Sequence, residues 1–95
     1  MTHSIQFVKR DVLKEKPASS ELGFGRFFCD YMFEMDYDSD HGWYDPRIVP
    51  YQPITLDPSS MVFHYGQAIF EGLKAYKTRE GRIQLFRPTK NMARF

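Results

Sequence analysis

The chain has 95 residues, enough for one small domain or a piece of a larger one. Its content, 42% hydrophobic and 26% charged with a net charge of +1, suits a soluble globular chain rather than a disordered one and indicates neither a basic nucleic-acid footprint nor a polyacidic tail. The single cysteine, Cys29, excludes an intrachain disulfide and fits a reducing compartment such as the cytoplasm, while no stretch approaches a membrane span and no apolar run of signal-peptide type opens the chain.

Residues 1–22 are polar and mixed in charge. Ile5, Phe7 and Val8 suit a short edge strand, and Lys14 to Ser20 reads as an exposed arm. Gly23-Phe24-Gly25 follows, too short for a dinucleotide fingerprint. From Tyr31 the bulky residues Tyr31, Phe33, Met35 and Tyr37 alternate with Met32, Glu34 and Asp36, a period of two that predicts a half-buried strand. Asp38 to Gly42 breaks it as a loop. Pro46, Pro50 and Pro53 make the next stretch poor central strand, so an edge or an extended irregular wall is expected.

Ser59 and Ser60 read as a turn or the cap of a short helical turn. Phe63 to Tyr76 then combines aromatics with Gly66 and Gly72, residues that either hold a backbone conformation closed to others or admit a close neighbour. An aromatic core with two bends and a pocket wall are both open readings of it. Leu73 and Ala75 fall on one face of an expected strand, Lys74 and Tyr76 on the other. Thr78 to Gly81 reads as a hairpin turn, Ile83 to Phe86 as its return strand, and Pro88 as the first turn of a helix. That helix is still in progress at Phe95, which predicts an N-terminal piece of a longer protein. The fold class is α+β with antiparallel pairing at the hairpin.

Few of the chemical motifs survive inspection. Asp36, Asp38 and Asp40 alternate as in a calcium loop, but His41 and Arg47 stand where the template needs glycine and glutamate, so a solvated acidic loop is expected. His3, His41 and His64 lack metal spacing, and no metal is expected. His64 reads as an internally hydrogen-bonded histidine, Cys29 as a small buried residue beside the strand, and Lys74 as a rim lysine. Arg94 lies in the second turn of the expected helix. Its planar fork of donors suits a phosphate, although spacing alone favours an ordinary exposed arginine.

The run Phe63-His64-Tyr65-Gly66-Gln67-Ala68-Ile69-Phe70-Glu71-Gly72-Leu73-Lys74-Ala75-Tyr76, followed by Leu85-Phe86-Arg87-Pro88 and Asn91-Met92-Ala93-Arg94, resembles the branched-chain aminotransferases, fold-type IV enzymes that use pyridoxal 5′-phosphate (PLP). Phe24-Gly25-Arg26-Phe27-Phe28, Asp30-Tyr31-Met32, Gly42 to Ile48 and Leu56 to Ser60 match the same family in the same order. The resemblance begins near Gly23. It implies an N-terminal arm at 1–22 and, at 23–95, an incomplete small α+β domain, with the large PLP-lysine domain outside this chain.

The resemblance also implies roles. Arg94 would bind the PLP phosphate. Phe24 and Phe70 would line the pocket for a branched aliphatic side chain, and Tyr65 would complete the pocket of a neighbouring subunit in a homodimer or larger homo-oligomer. The implied reaction moves the amino group of leucine, isoleucine or valine to 2-oxoglutarate, giving branched 2-oxo acids and glutamate. The Schiff-base lysine would lie downstream, so Lys9, Lys14, Lys16, Lys74, Lys77 and Lys90 are not candidates and the fragment alone should be inactive. A relative acting on D-amino acids or resembling aminodeoxychorismate lyase is the alternative within the fold. Outside it, the alternative is a non-enzymatic aromatic-rich binding module that stacks single-stranded nucleic acid, against which the near-neutral charge argues.

Overall fold

Alternation of large and acidic side chains produces the first long strand, β2 (Tyr31–Asp38). The computed structural model describes residues 4–95, so His3 lies outside it. The chain forms two compact units, Met1–Ile54 and Thr55–Phe95. Strands β1 (Gln6–Phe7) and β3 (Gly42–Pro50) join β2 in the first unit as a mixed sheet of order β1-β3-β2. The second unit holds a hairpin and two short helices, and the class is α+β.

The proline-bearing stretch is thus the middle strand, against the expectation of an edge or irregular wall. The ladder explains how. Between the pairs Glu34–Arg47 and Asp36–Tyr44 the β2–β3 register shifts, leaving Asp45 and Pro46 opposite Met35. Asp45 takes a positive φ of 55° there. This bulge places Pro46 where a ladder N–H is not required. Pro50 closes the strand against Tyr31, and β1 pairs in parallel only at Arg47 and Ile48. Arg47 locks the same face: its Nε and Nη2 donate to Glu34 Oε2 at 3.1 and 2.8 Å, and Nη1 donates to Asp36 at 2.9 Å. Asp36 beside it, first among the causes, raises the Arg47 pKa. Asp38 instead caps the turn, accepting the backbone N–H groups of Asp40 and His41 at 2.9 and 2.7 Å. Two of the three alternating aspartates therefore have local structural partners.

The short edge strand expected around Ile5 to Val8 forms as β1, and the stretch expected as an exposed arm instead supplies a clamp on Asp30, a buried carboxylate. Asp30 accepts the Lys14 backbone N–H at 2.7 Å and an ion-paired hydrogen bond from the Lys16 ammonium. Arg10 approaches the same carboxylate to 3.9 Å, and its backbone N–H donates to the Tyr31 hydroxyl at 3.0 Å. Lys14 then lays its ammonium 4.4 Å from the centre of the Tyr51 ring, which stacks on Phe28. A buried charge is tolerated when paired and hydrogen-bonded in this way. Pro46 and Val49 of β3 are the buried apolar residues among those described. Cys29 is exposed, not buried as expected; the inward position belongs to its neighbour Asp30.

In the second unit the Asp57 carboxylate accepts the Ser59 N–H at 2.8 Å and its hydroxyl at 2.6 Å, shaping the turn before α1 (Met61–His64). Ser60 holds the cap position without a side-chain bond. The hairpin joins β4 (Ala75–Lys77) to β5 (Ile83–Leu85) with Tyr76 opposite Gln84. Gly81 (φ 86°) and the Thr78 N–H to Arg82 carbonyl bond (2.8 Å) close its loop. Leu73 and Lys74 precede the strand instead of sharing its faces. Pro88 opens α2 (Pro88–Arg94) at its first position, as its missing N–H allows.

The partners of Asp30, the Lys16 hydrogen bond first and the Lys14 N–H second, hold its pKa below the usual 3.8. A carboxyl depressed in the folded state stabilises that state above its unfolded pKa, and the contribution disappears as pH falls through the folded value. Comparing the Tm of the intact protein with that of Asp30→Asn should show a lower Tm for the variant at pH 7. The gap should narrow as pH falls below the ordinary carboxyl value of 3.8; a gap independent of pH contradicts the clamp.

Candidate functional site

Unit Thr55–Phe95 carries the densest set of candidate residues. After α1 the chain turns sharply: Gly66 takes φ 60° and its carbonyl accepts the Ala68 N–H at 2.7 Å. A Cβ at Gly66 would meet open space, so backbone conformation alone requires glycine there. Gly72 has no such φ, and a Cβ on it would make ordinary contact with the Phe70 ring at 3.8 Å. The two glycines therefore differ: Gly66 makes a bend, whereas Gly72 leaves room.

Glu71, between Phe70 and Gly72, is the inward-facing residue of this run. Its carboxylate receives Arg94 from α2 through Nε to Oε2 at 3.1 Å and through Nη2 to Oε1. Asn91, three residues earlier and on the same helix face, donates its amide to Glu71 Oε1 at 2.8 Å and to the Gly72 carbonyl at 2.7 Å. Arg94, first among the causes, and Asn91 next hold the Glu71 carboxyl below its usual range. The Glu71 side chain is 11% exposed and that of Arg94 70% exposed. The guanidinium thus has its Nε–Nη2 side occupied and its outer edge, Nη1 with the second Nη2 hydrogen, turned to solvent; among the described residues Nη1 has no hydrogen-bond partner. Two parallel donors of this kind match the oxygens of a phosphate, so the donor set fits the anionic group of PLP.

The aromatic candidates lie open. Phe70 is 93% exposed and Tyr65 77% exposed. The Phe63–Tyr76 run is therefore no core of its own unit, because a two-stranded hairpin and two short helices supply no second layer over it. Phe63 and His64 line an open depression of about 380 Å³ with Leu56 and Pro58. His64 is exposed in the last turn of α1, against the expectation of an internally bonded histidine, since nothing in the unit covers that helix. Lys74 is exposed with its ammonium 5.6 Å from the Tyr76 ring centre. Phe24 belongs to the first unit, where it is 99% exposed between Gly23 and Gly25, both at positive φ.

Sequence reasoning named Arg94 but passed over Glu71 and Asn91. The spacing of Asn91 and Arg94 on one helical face was available as a signal. The approach of Glu71 was not, because it depends on a contact across twenty or more positions.

No protein-family model matches the chain. Individual proteins do. Branched-chain-amino-acid transaminase 1 of Bacillus subtilis (strain 168) is 61% identical over 94 residues, covering 99% of this chain and 26% of that protein. The probable branched-chain-amino-acid aminotransferase of Staphylococcus aureus (strain N315) is 52% identical with the same coverage. By sequence, the chain belongs with the branched-chain-amino-acid aminotransferases. A third relative of this name, from Mycolicibacterium smegmatis, is 54% identical over 72 residues, 76% of this chain and 20% of that protein. The chain spans about a quarter of the length of the branched-chain aminotransferases that it matches over nearly all its residues.

The two glycines give a direct check on the backbone argument. Gly66→Ala should destabilise the intact protein by about 1 kcal/mol, the cost of a left-handed conformation for an L-residue, with Gly66→Asn milder. Gly72→Ala should be nearly neutral. Chemical denaturation of the three variants measures this, and equal losses at both glycines would contradict it.

Proposed function

We propose that this chain serves as the amino-terminal quarter of a PLP-dependent branched-chain aminotransferase. The reaction is reversible transfer of an amino group between leucine, isoleucine or valine and 2-oxoglutarate, yielding branched 2-oxo acids and glutamate. The observation that carries the reading is identity above 50%, across nearly the whole chain, to proteins bearing that name. Residues 23–95 then contribute to the small domain of the fold-type IV architecture.

Bound PLP supplies an electron sink that lets an amino group leave one carbon skeleton and join another. The residues of this chain act by binding and by shaping the site. Arg94 holds the cofactor phosphate with the donor edge that Glu71 leaves open. Phe24 and Phe70 provide apolar walls that exclude water and reject polar side chains, a selection that works because a branched aliphatic group loses little by leaving water. Their high exposure supports walls that face a ligand or the rest of the protein rather than the interior of their own units. The exposure of Tyr65 supports its reach into the site of a neighbouring subunit, and hence a homodimer or larger homo-oligomer. The exposed thiol of Cys29 supports a reducing location, the cytoplasm.

Three of the lysines of this chain have structural neighbours. Lys14 and Lys16 clamp the Asp30 region, and Lys74 lies over Tyr76. As the resemblance to the branched-chain aminotransferases implies, the covalent attachment of the cofactor and the proton transfers belong to a lysine outside this chain, and the chain by itself is inactive.

The test uses the intact protein containing this segment, supplied with PLP and 2-oxoglutarate. Glutamate should form with leucine, isoleucine and valine, and the Arg94→Ala variant should bind PLP at least about tenfold more weakly, the scale of losing a charge-assisted fork. Turnover of another amine donor alone would move the substrate. Absence of both turnover and bound PLP would overturn the proposal.

A further inference from the structure

We infer that Glu71, held by Asn91, is a positioning residue that aims the outer edge of Arg94 at the phosphate of a bound cofactor. This rests on the phosphate role proposed for Arg94. A guanidinium has two bidentate donor edges, one made by Nε with Nη2 and the other by Nη1 with Nη2. Glu71 occupies the first through both its oxygens. A phosphate approaching the first edge would meet a carboxylate, and like charges would repel. The second edge is left as the productive one.

The carboxylate can serve as an anchor because it is itself fixed. Asn91 donates one amide to Glu71 Oε1 and to the Gly72 carbonyl, so carboxylate, amide and main chain form one hydrogen-bonded unit. Glu71 is mostly covered while Arg94 is mostly exposed, an asymmetry expected of a support and the group it presents. An unsupported arginine on a helix end would sample many rotamers and lose that freedom on binding. Removing the negative charge of Glu71 alone would strengthen attraction for a phosphate. Loss of aim works in the opposite direction, so the sign of the effect separates the two roles.

The experiment titrates the intact apoprotein with PLP and, separately, with pyridoxal, which has no phosphate, following the absorbance of the bound ligand. Glu71→Gln should raise the Kd for PLP about tenfold and leave that for pyridoxal within about twofold. Asn91→Ala, which loosens the anchor without touching charge, should give a smaller loss with the same selectivity for the phosphate-bearing ligand. In an Arg94→Ala background, Glu71→Gln should have no further effect. The phosphorus NMR signal of bound PLP should shift in Glu71→Gln. Circular dichroism and thermal melting of each variant report that it has folded; if Glu71→Gln fails that check, Asn91→Ala decides the matter. PLP affinity that is unchanged or increased in Glu71→Gln, or a parallel loss for pyridoxal, overturns the positioning role. An Arg94→Ala protein that keeps full affinity for PLP overturns the phosphate role and this inference with it, and a wild-type protein that binds no PLP overturns the functional reading first.

Discussion

Charges that find partners, more than an apolar interior, hold each of the two units of this chain in shape. The first unit wraps its N-terminal segment over Asp30 and pins β2 to β3 through Arg47. The second ties α2 to the Gly72 strand approach through Glu71, Asn91 and Arg94. Exposed ion pairs contribute little each, because water screens them and long side chains lose freedom. Asp30 and Glu71 differ in being covered, so each depends on its partners and each imposes a geometry on the chain around it. Among the described residues the buried apolar side chains are Pro46 and Val49, both on β3, while Phe24, Tyr65 and Phe70 face outward. An arrangement rich in outward aromatics and poor in buried ones suits a segment whose apolar surface serves a site or a larger body.

The same principle explains how Arg94 could combine its structural contact with the phosphate role proposed for it. Arg94 spends one edge of its guanidinium on Glu71 and keeps the other. A lysine could not divide its donors in this way, since an ammonium has no fixed planar fork. The pair of Glu71 and Arg94 is near neutral as a whole, so its attraction for a phosphate depends on direction rather than on net charge. Directional binding of this type favours a group of fixed shape and position, which a cofactor phosphate provides.

Local chemistry made much of the fold legible. The alternation from Tyr31 to Asp38, the turn at Asp57 to Ser60, the hairpin around Gly81 and the helix opening at Pro88 all depend on neighbouring residues, and the structure has each of them. The middle strand was misread because proline is normally barred from such a position; the bulge at Asp45 and Pro46, which excuses it, is a property of the pairing with β2. Cys29 was expected inside, but its neighbour Asp30 takes that position, because the lysines that compensate the carboxylate come from a segment that reads as a loose arm. His64 reads as bonded only if something covers α1. At the candidate site, Arg94 could be named from residue type and resemblance, whereas its partner Glu71 emerged from a contact that no short-range pattern encodes.

The most direct test of this account is an experimental structure of the intact protein with PLP bound. The account predicts a phosphate oxygen about 2.9 Å from Arg94 Nη1, with Glu71 still on Nε and Nη2 and Asn91 still on Glu71. A phosphate held by other residues, or one that displaces Glu71 from Arg94, would contradict it.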